Sequence, residues 1–203
     1  MIDFSVDKYQ GLSGRPVICT SMIRGLEMEL VESQAEMRVV YVNGATGVLV
    51  SGLIWCLAGS VGIYSNAHSS MLALFLGGLF IFPLSVALAK LLGATGKHSA
   101  QNKLGTLAIE SLGVLFGGLF VAFVAAQYNP DLFFPVMLVA LGARYLMFQT
   151  LYGLTLYWLL GGLLMASGFL AAILQWPFFA AAFIGGGLEI LFAVALYLRR
   201  PGL

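Results

Sequence analysis

The chain has 203 residues, of which 60% are hydrophobic and 9% charged, and its formal net charge is +1. An ordinary globular domain carries about 25% charged residues, so a water-soluble fold of this size could not cover its surface, and lipid must cover most of it. The near-neutral charge leaves no basic stripe to neutralise phosphates, which argues against nucleic acid as a partner.

The chain opens MIDFSVDKYQGLSGRP, without the basic stretch and short apolar run of a cleavable signal peptide. Insertion is therefore expected to rely on the first true transmembrane helix. Residues 1–38 form the only sizeable polar segment. Within it Ile23, Leu26, Leu30 and Met37 recur at near-helical spacing, with Glu29, Glu32 and Glu36 on another face, so 21–37 reads as an amphipathic helix. One arginine, Arg24, against Glu27, Glu29, Glu32 and Glu36 gives it a charge of −3. Membrane-surface helices are rich in Lys and Arg on the polar face, so anionic lipid is a poor match. Two docking modes remain. The helix packs beneath the bundle against the basic loop of Lys97 and Lys103, or it takes a separate protein partner.

Each spanning helix needs roughly 20 mainly apolar residues. Six candidates follow, at about 39–64, 70–92, 104–127, 132–149, 152–174 and 177–198, with a short tail at 199–203. The fold class is all-α, a six-span transmembrane bundle. Ser65-Asn66-Ala67-His68, Gly93-Ala94-Thr95-Gly96-Lys97, Asn129-Pro130-Asp131 and Gln175-Trp176-Pro177 supply turn signals between the spans. Near Gln149-Thr150 the chain has little room to turn. Cys19 and Cys56 read as free thiols, and His68 and His98 are far apart with no Cys or carboxylate at ligand spacing. No metal or cofactor is expected.

Orientation follows from the positive-inside rule. With the N-terminus inside, Lys8, Arg15, Arg24, Arg38, Lys90, Lys97, Lys103, Arg199 and Arg200 are cytoplasmic, and Arg144 lies near the cytoplasmic end of the fourth span. The three outside loops contain neither Lys nor Arg. A bacterial cytoplasmic membrane protein with both termini in the cytoplasm is the expectation.

An ionisable group inside a span costs roughly 2.5–3.5 kcal/mol or more and is read as functional or paired. Glu110 and Glu189 are two such groups. Thr106, Glu110, Gly113 and Gly117 share one helical face, and Ala182, Gly185, Gly186, Glu189 and Ala193 share another. Small residues mark helix seams, so both carboxylates are expected to face the bundle interior. Arg144 is their natural counter-ion, pairing with Glu110 or Glu189, unless it snorkels to the headgroups. Asn43 and Gln149 are placed to complete this polar cluster. In the second span Pro83 removes a backbone hydrogen bond and frees the carbonyl of Leu79, so a helix kink is expected there.

Leu74-Phe75-Leu76-Gly77-Gly78-Leu79-Phe80 echoes Val114-Leu115-Phe116-Gly117-Gly118-Leu119-Phe120, and Gly161-Gly162-Leu163 and Gly186-Gly187-Leu188 recur later. The unequal spacings define no single period, and convergent small-residue packing accounts for them. Gly113 and Gly117 form a GxxxG pair of the kind that lets helices approach closely.

Pro83-Leu84 with Lys90, Leu104-Gly105, Gly142-Ala143 with Tyr152, and Glu189-Ile190 together resemble a family of small uncharacterised bacterial membrane proteins, over roughly residues 80–195. The resemblance implies a six-helix protein and no activity, substrate or cofactor. The longer acidic N-terminal segment departs from it. Two functions fit these features: a small transporter or permeation protein using the inward polar cluster, and a non-catalytic subunit or assembly factor in which that cluster locks the bundle. An enzyme is not expected, since no Ser/His or Asp/Asp pair stands at catalytic spacing and no phosphate-binding loop is present.

Overall fold

The computed structural model describes residues 29–200. Segment 1–20 and the 21–28 part of the expected amphipathic helix lie outside the described residues. The described chain is all α-helical, apart from two short 3₁₀ turns and the connections. Helix α1 (29–40) is followed by α2 (Ala45–Tyr64), α3 (Ala67–Leu91), α4 (Leu104–Tyr128), α5 (Phe133–Tyr152), α6 (Leu156–Ile173) and α7 (Phe178–Leu198). The six helices α2 to α7 are long and apolar enough to span a bilayer, with spans of 18 to 25 residues. At 1.5 Å per residue these are about 27–37 Å long, against a hydrocarbon core of about 30 Å.

Local chemistry sets most of the helix ends. Asn66 caps α3 by accepting from Ser69 N at 2.8 Å, and Asn129 accepts from Asp131 N at 3.0 Å ahead of Pro130 in the 3₁₀ turn that leads into α5. Helix α5 runs to Tyr152 rather than to 149, and α6 starts at Leu156. The turn falls at Gly153, which takes φ 66° and returns its N–H to Gln149 O at 2.6 Å, a left-handed C-cap that favours glycine. The α1–α2 connection is tighter. Val42, Asn43 and Gly44 have φ values of 54°, 57° and 75°, and the Asn43 side chain secures this turn by donating to Leu196 O of α7 at 3.0 Å.

Glycines bring two helix pairs into close contact. A Cβ on Gly52 of α2 would lie 2.8 Å from Gly186 O of α7, and one on Gly186 would lie 2.6 Å from Cys56 Sγ. Between α5 and α6, a Cβ on Gly142 would meet Gly161 O at 2.6 Å, and one on Gly168 would meet Pro135 O at 2.7 Å. In lipid, where helices gain little from burying apolar surface, such backbone proximity is the main source of packing energy. Helix α3 packs on α2, and α4 packs on α5, while α7 bridges the two halves through α2, α5 and α6. The bundle is a ring interrupted between α3 and α4.

The outward faces carry exposed Leu53, Leu57, Phe80, Phe120, Phe169 and Leu191, an apolar surface far larger than water tolerates and suited to acyl chains. Tyr64 and Tyr128, 89% and 88% exposed, mark the bundle end remote from α1, as interfacial aromatics do. Arg38, Lys90, Lys97, Lys103, Arg199 and Arg200 all stand at the α1 end.

Helix α1 lies across that end. Met37 is buried in the bundle core. Glu36 accepts from Ser99 N at 2.7 Å, Ser99 Oγ at 3.0 Å and Asn102 Nδ2 at 2.7 Å. The helix therefore sits against the loop between Lys97 and Lys103, held by neutral donors of that loop. Gln34 Nε2 donates to Thr150 O, and Arg38 Nη1 donates to Tyr152 O at 2.7 Å, placing a cation on the carbonyl end of α5.

Candidate functional site

The interruption between α3 and α4 holds a cavity of about 360 Å³. Its lips are Phe75, Leu79 and Phe82 on α3 and Ile109, Leu112 and Phe116 on α4, which line the cavity and are also exposed on the outer face. Behind them stand Val48, Ser51 and Trp55 of α2 with Met137, Leu141 and Tyr145 of α5. Met37, Tyr41 and His98 line it at the α1 end, where the Tyr41 hydroxyl and His98 Nδ1 share a 2.9 Å hydrogen bond. The two echoing stretches noted in the sequence flank the opening. In α3 Gly77 is the glycine pressed against the neighbouring helix, its Cβ position 2.6 Å from Ile54 Cγ2, while in α4 Gly118 fills that role against Ala140. The α3 stretch begins, and the antiparallel α4 stretch ends, about two turns from the helix end remote from α1, so they lie at similar depth.

Arg144 lines this cavity and brings it its one Lys or Arg side chain; no Asp or Glu lines it among the described residues. Eight residues before the end of α5, it stands about 12 Å in from that end, deeper than an α5 ending at 149 would put it. Its Nε donates to Ser111 Oγ of α4 at 3.1 Å, and Ser111 Oγ in turn donates to Ala108 O at 2.7 Å. The guanidinium carbon sits 4.9 Å from the centre of the Phe148 ring, a cation–π contact. No Lys or Arg nitrogen lies within 4.0 Å of a carboxylate among the described residues. The expected ion pair between Arg144 and Glu110 or Glu189 is thus absent, and a serine and an aromatic ring hold the guanidinium instead.

Glu189 is fully buried in the seam of α7 with α2, where its Cβ lies 3.0 Å from the Cβ position of Gly52. The Tyr145 hydroxyl donates to Glu189 Oε1 at 2.5 Å, and Oε2 has no hydrogen-bond partner among the described residues. Tyr145 itself lines the cavity, so a single aromatic ring separates the carboxyl from it.

The other expected members of the cluster lie elsewhere. Glu110 is exposed on the outer face of α4 with Thr106, Gly113 and Gly117, and a Cβ on either glycine would meet nothing within 4 Å. That face is not a seam. Helix α4 packs on α5 through the adjacent face of Ser111, Gly118, Ala122 and Ala126. Asn43 is buried, and its hydrogen bonds run to backbone and to Tyr157: Nδ2 to Leu196 O, and its own carbonyl accepting from Tyr157 Oη at 2.7 Å. Gln149 is half-buried, and its carbonyl accepts the N–H of Gly153. Helix α3 continues without a break through Pro83, which is exposed one residue from the lip residue Phe82.

Ser111, Tyr145, Phe148 and Tyr157 are the site residues that sequence reasoning overlooked. Tyr157 stacks on Tyr152 and Tyr145 with ring centres 5.3 and 5.9 Å away, and Phe148 meets it edge-on at 5.6 Å. A signal was present in the i, i+3, i+4 and i+7 spacing of Tyr145, Phe148, Gln149 and Tyr152, which puts the aromatics on one face of α5.

Among curated proteins and among solved structures, nothing matches the chain. A family model does, over residues 30–199, and it is described as a family of unknown function, DUF7010. That match takes in α1 from its second described residue and all six spanning helices, so the cavity, Arg144 and Glu189 lie inside it, and the chain belongs to this family.

Proposed function

We propose that this protein is a small, non-enzymatic carrier or permeation protein of a bacterial cytoplasmic membrane, with both termini in the cytoplasm and the α2–α5 cavity as its ligand site. The observation that carries the reading is Arg144. A cation held at depth in a bilayer without a contacting carboxylate is costly, and here it lines a cavity large enough for a ligand, at the lower end of the roughly 300–1,000 Å³ range of small-molecule sites. Glu189 is one side chain away, behind Tyr145, where it could balance the charge of the site as ligand enters and leaves.

Thiol accessibility tests this. In a background carrying Cys19→Ser and Cys56→Ser, the single substitutions Ser85→Cys and Leu115→Cys place a thiol on opposite walls of the cavity. In reconstituted vesicles a membrane-impermeant thiol reagent should reach them from the α1 side, and Gly78→Leu, which projects a side chain into open space beside the cavity, should slow the reaction. A cavity closed to the reagent from both sides overturns the carrier reading.

A second reading has its own support. The outward face of α4 with Thr106, Glu110, Gly113 and Gly117, and the exposed Leu30 and Val31 of α1, suit a subunit or assembly factor that docks another protein there. Cross-linking from Gly113→Cys to a second polypeptide, with full activity of that complex retained by Arg144→Gln, favours this alternative.

A further inference from the structure

We propose that the cavity binds a single-chain anionic amphiphile, a long-chain carboxylate, which enters sideways between α3 and α4 and sets its headgroup on Arg144. This deepens the reading of the cavity as a ligand site and rests on it.

The walls are graded as such a molecule requires. Toward the lipid the opening is framed by Phe75, Leu79 and Phe82 facing Ile109, Leu112 and Phe116, all apolar and all exposed. These positions follow one another at i, i+3 or i+4 and i+7, so each helix presents a continuous apolar stripe along the gap. With at most marginal α3–α4 packing to undo, an acyl chain can pass between the stripes without parting two closely packed helices. A fully polar solute would gain nothing from this route.

The inner end offers one positive charge with its geometry already fixed. Nε of Arg144 is committed to Ser111, which is itself anchored on Ala108 O, and the guanidinium carbon sits over the Phe148 ring. The two terminal nitrogens remain for a ligand, with no protein carboxylate within 4.0 Å among the described residues. A planar carboxylate accepts two parallel hydrogen bonds from that edge. Its single negative charge also matches the one cation of the cavity, whereas a phosphate monoester would leave excess charge in an apolar site. The volume of about 360 Å³ suits one chain better than the two of a phospholipid.

The test uses the full chain in nanodiscs of neutral phosphatidylcholine. One probe is palmitate with a photoreactive diazirine in its chain, and the other is the matching diazirine hexadecanol. After irradiation the labelled peptides are mapped. Palmitate should label cavity residues of α3, α4 and α5, excess unlabelled palmitate should abolish that labelling, and hexadecanol should label mainly the outer faces. Arg144→Gln should lower cavity labelling by palmitate at least about tenfold, as loss of a charge-assisted hydrogen bond implies. Glu110→Gln should leave it unchanged. If Arg144→Gln does not fold, Leu115→Trp fills the cavity while keeping the arginine, and it should remove the labelling as well. Equal cavity labelling by palmitate and hexadecanol, or unchanged labelling in Arg144→Gln, overturns the proposal, as does stronger competition by lysophosphatidate than by palmitate. Thiol access to the cavity without palmitate labelling sinks the amphiphile and leaves the ligand site standing. Absence of both sinks the two together.

Discussion

Tyr145 and Arg144 are adjacent in the chain and line the same cavity, yet their side chains reach different neighbours of α5. The tyrosine hydroxyl donates to Glu189 of α7, and the guanidinium donates to Ser111 of α4. The carboxylate and the cation, which charge alone would bring together, are thus held by separate neutral groups.

Separate mutational signatures follow from this. Tyr145→Phe removes the recorded hydrogen bond of a fully buried carboxyl and should destabilise the protein by about 1–3 kcal/mol. The loss should shrink when Glu189 is already Leu, since no buried polar atom is then orphaned. Glu110→Gln and Arg144→Gln act on groups that do not touch, so their effects should add within about 0.5 kcal/mol. Unfolding titrations of the single and double variants in mixed micelles measure all of these. Strong coupling between Glu110 and Arg144 would contradict the geometry.

The glycines divide into two classes with opposite expected outcomes. At Gly186 a methyl group would lie 2.6 Å from Cys56 Sγ and 2.7 Å from Gly52 O, a clash with backbone that α7 can relieve only by moving off α2. Gly186→Ala should cost about 1–3 kcal/mol, the usual price of overpacking. The next residue, Gly187, has nothing within 4 Å of the same position, as do Gly113 and Gly117. Alanine there should be neutral or stabilising by up to about 1 kcal/mol through helix propensity. Thermal unfolding of the four single variants separates the classes, and a severe loss at Gly117 would place an unseen helix against α4.

This contrast also explains what the residues alone could reveal. Helix ends were legible where the turn chemistry was local and polar, as at Asn66 and Asn129. The α5–α6 turn was not, because Gly153 sits in an apolar stretch whose hydropathy hides the break. Small neighbours point Glu189 at a seam, and its carboxyl does lie in one. Applied to α4 the same rule selects the wrong face. The face of Glu110, Gly113 and Gly117 competes with that of Ser111, Gly118, Ala122 and Ala126, which is also lined by small residues and lies about 140° further round the helix. Residue size identifies a face that can be packed. Only the arrangement of the other helices decides which one is.

The contact of α1 with the loop before α4 should respond to pH. Hydrogen bonds from the Asn102 side chain, then from Ser99 N, hold the Glu36 carboxyl below its ordinary 4.5. A carboxylate with a depressed folded-state pKa contributes stability that is complete above its unfolded value and is lost as pH falls through the folded value. Acidification below about 4.5 should therefore loosen α1, and faster amide exchange at Ser99 and Asn102 would report it. Glu36→Gln should exchange faster already at neutral pH and lose the pH response. Identical exchange in both proteins at every pH would mean that the contact at Glu36 does not anchor the helix.

The last prediction concerns which end faces the cytoplasm. At the α1 end the described chain carries Arg38, Lys90, Lys97, Lys103, Arg199 and Arg200, whereas the connections 65–66, 129–132 and 174–177 at the opposite end carry no Lys or Arg. Basic residues close to span ends resist translocation, so the α1 end should stay inside. With Cys19 and Cys56 replaced by Ser, Asn66→Cys, Asp131→Cys and Gln175→Cys should react with an impermeant thiol reagent applied to intact bacterial cells. Lys97→Cys should react only after permeabilisation. If the asymmetry sets the orientation, it can be titrated. Placing three lysines between Asn129 and Leu132 while neutralising Lys90, Lys97 and Lys103 should produce a fraction of inverted or mis-inserted chains. External reactivity of Lys97→Cys in the otherwise unaltered protein would reverse the assignment, and with it the side from which a water-soluble ligand would reach the floor of the cavity at Tyr41 and His98.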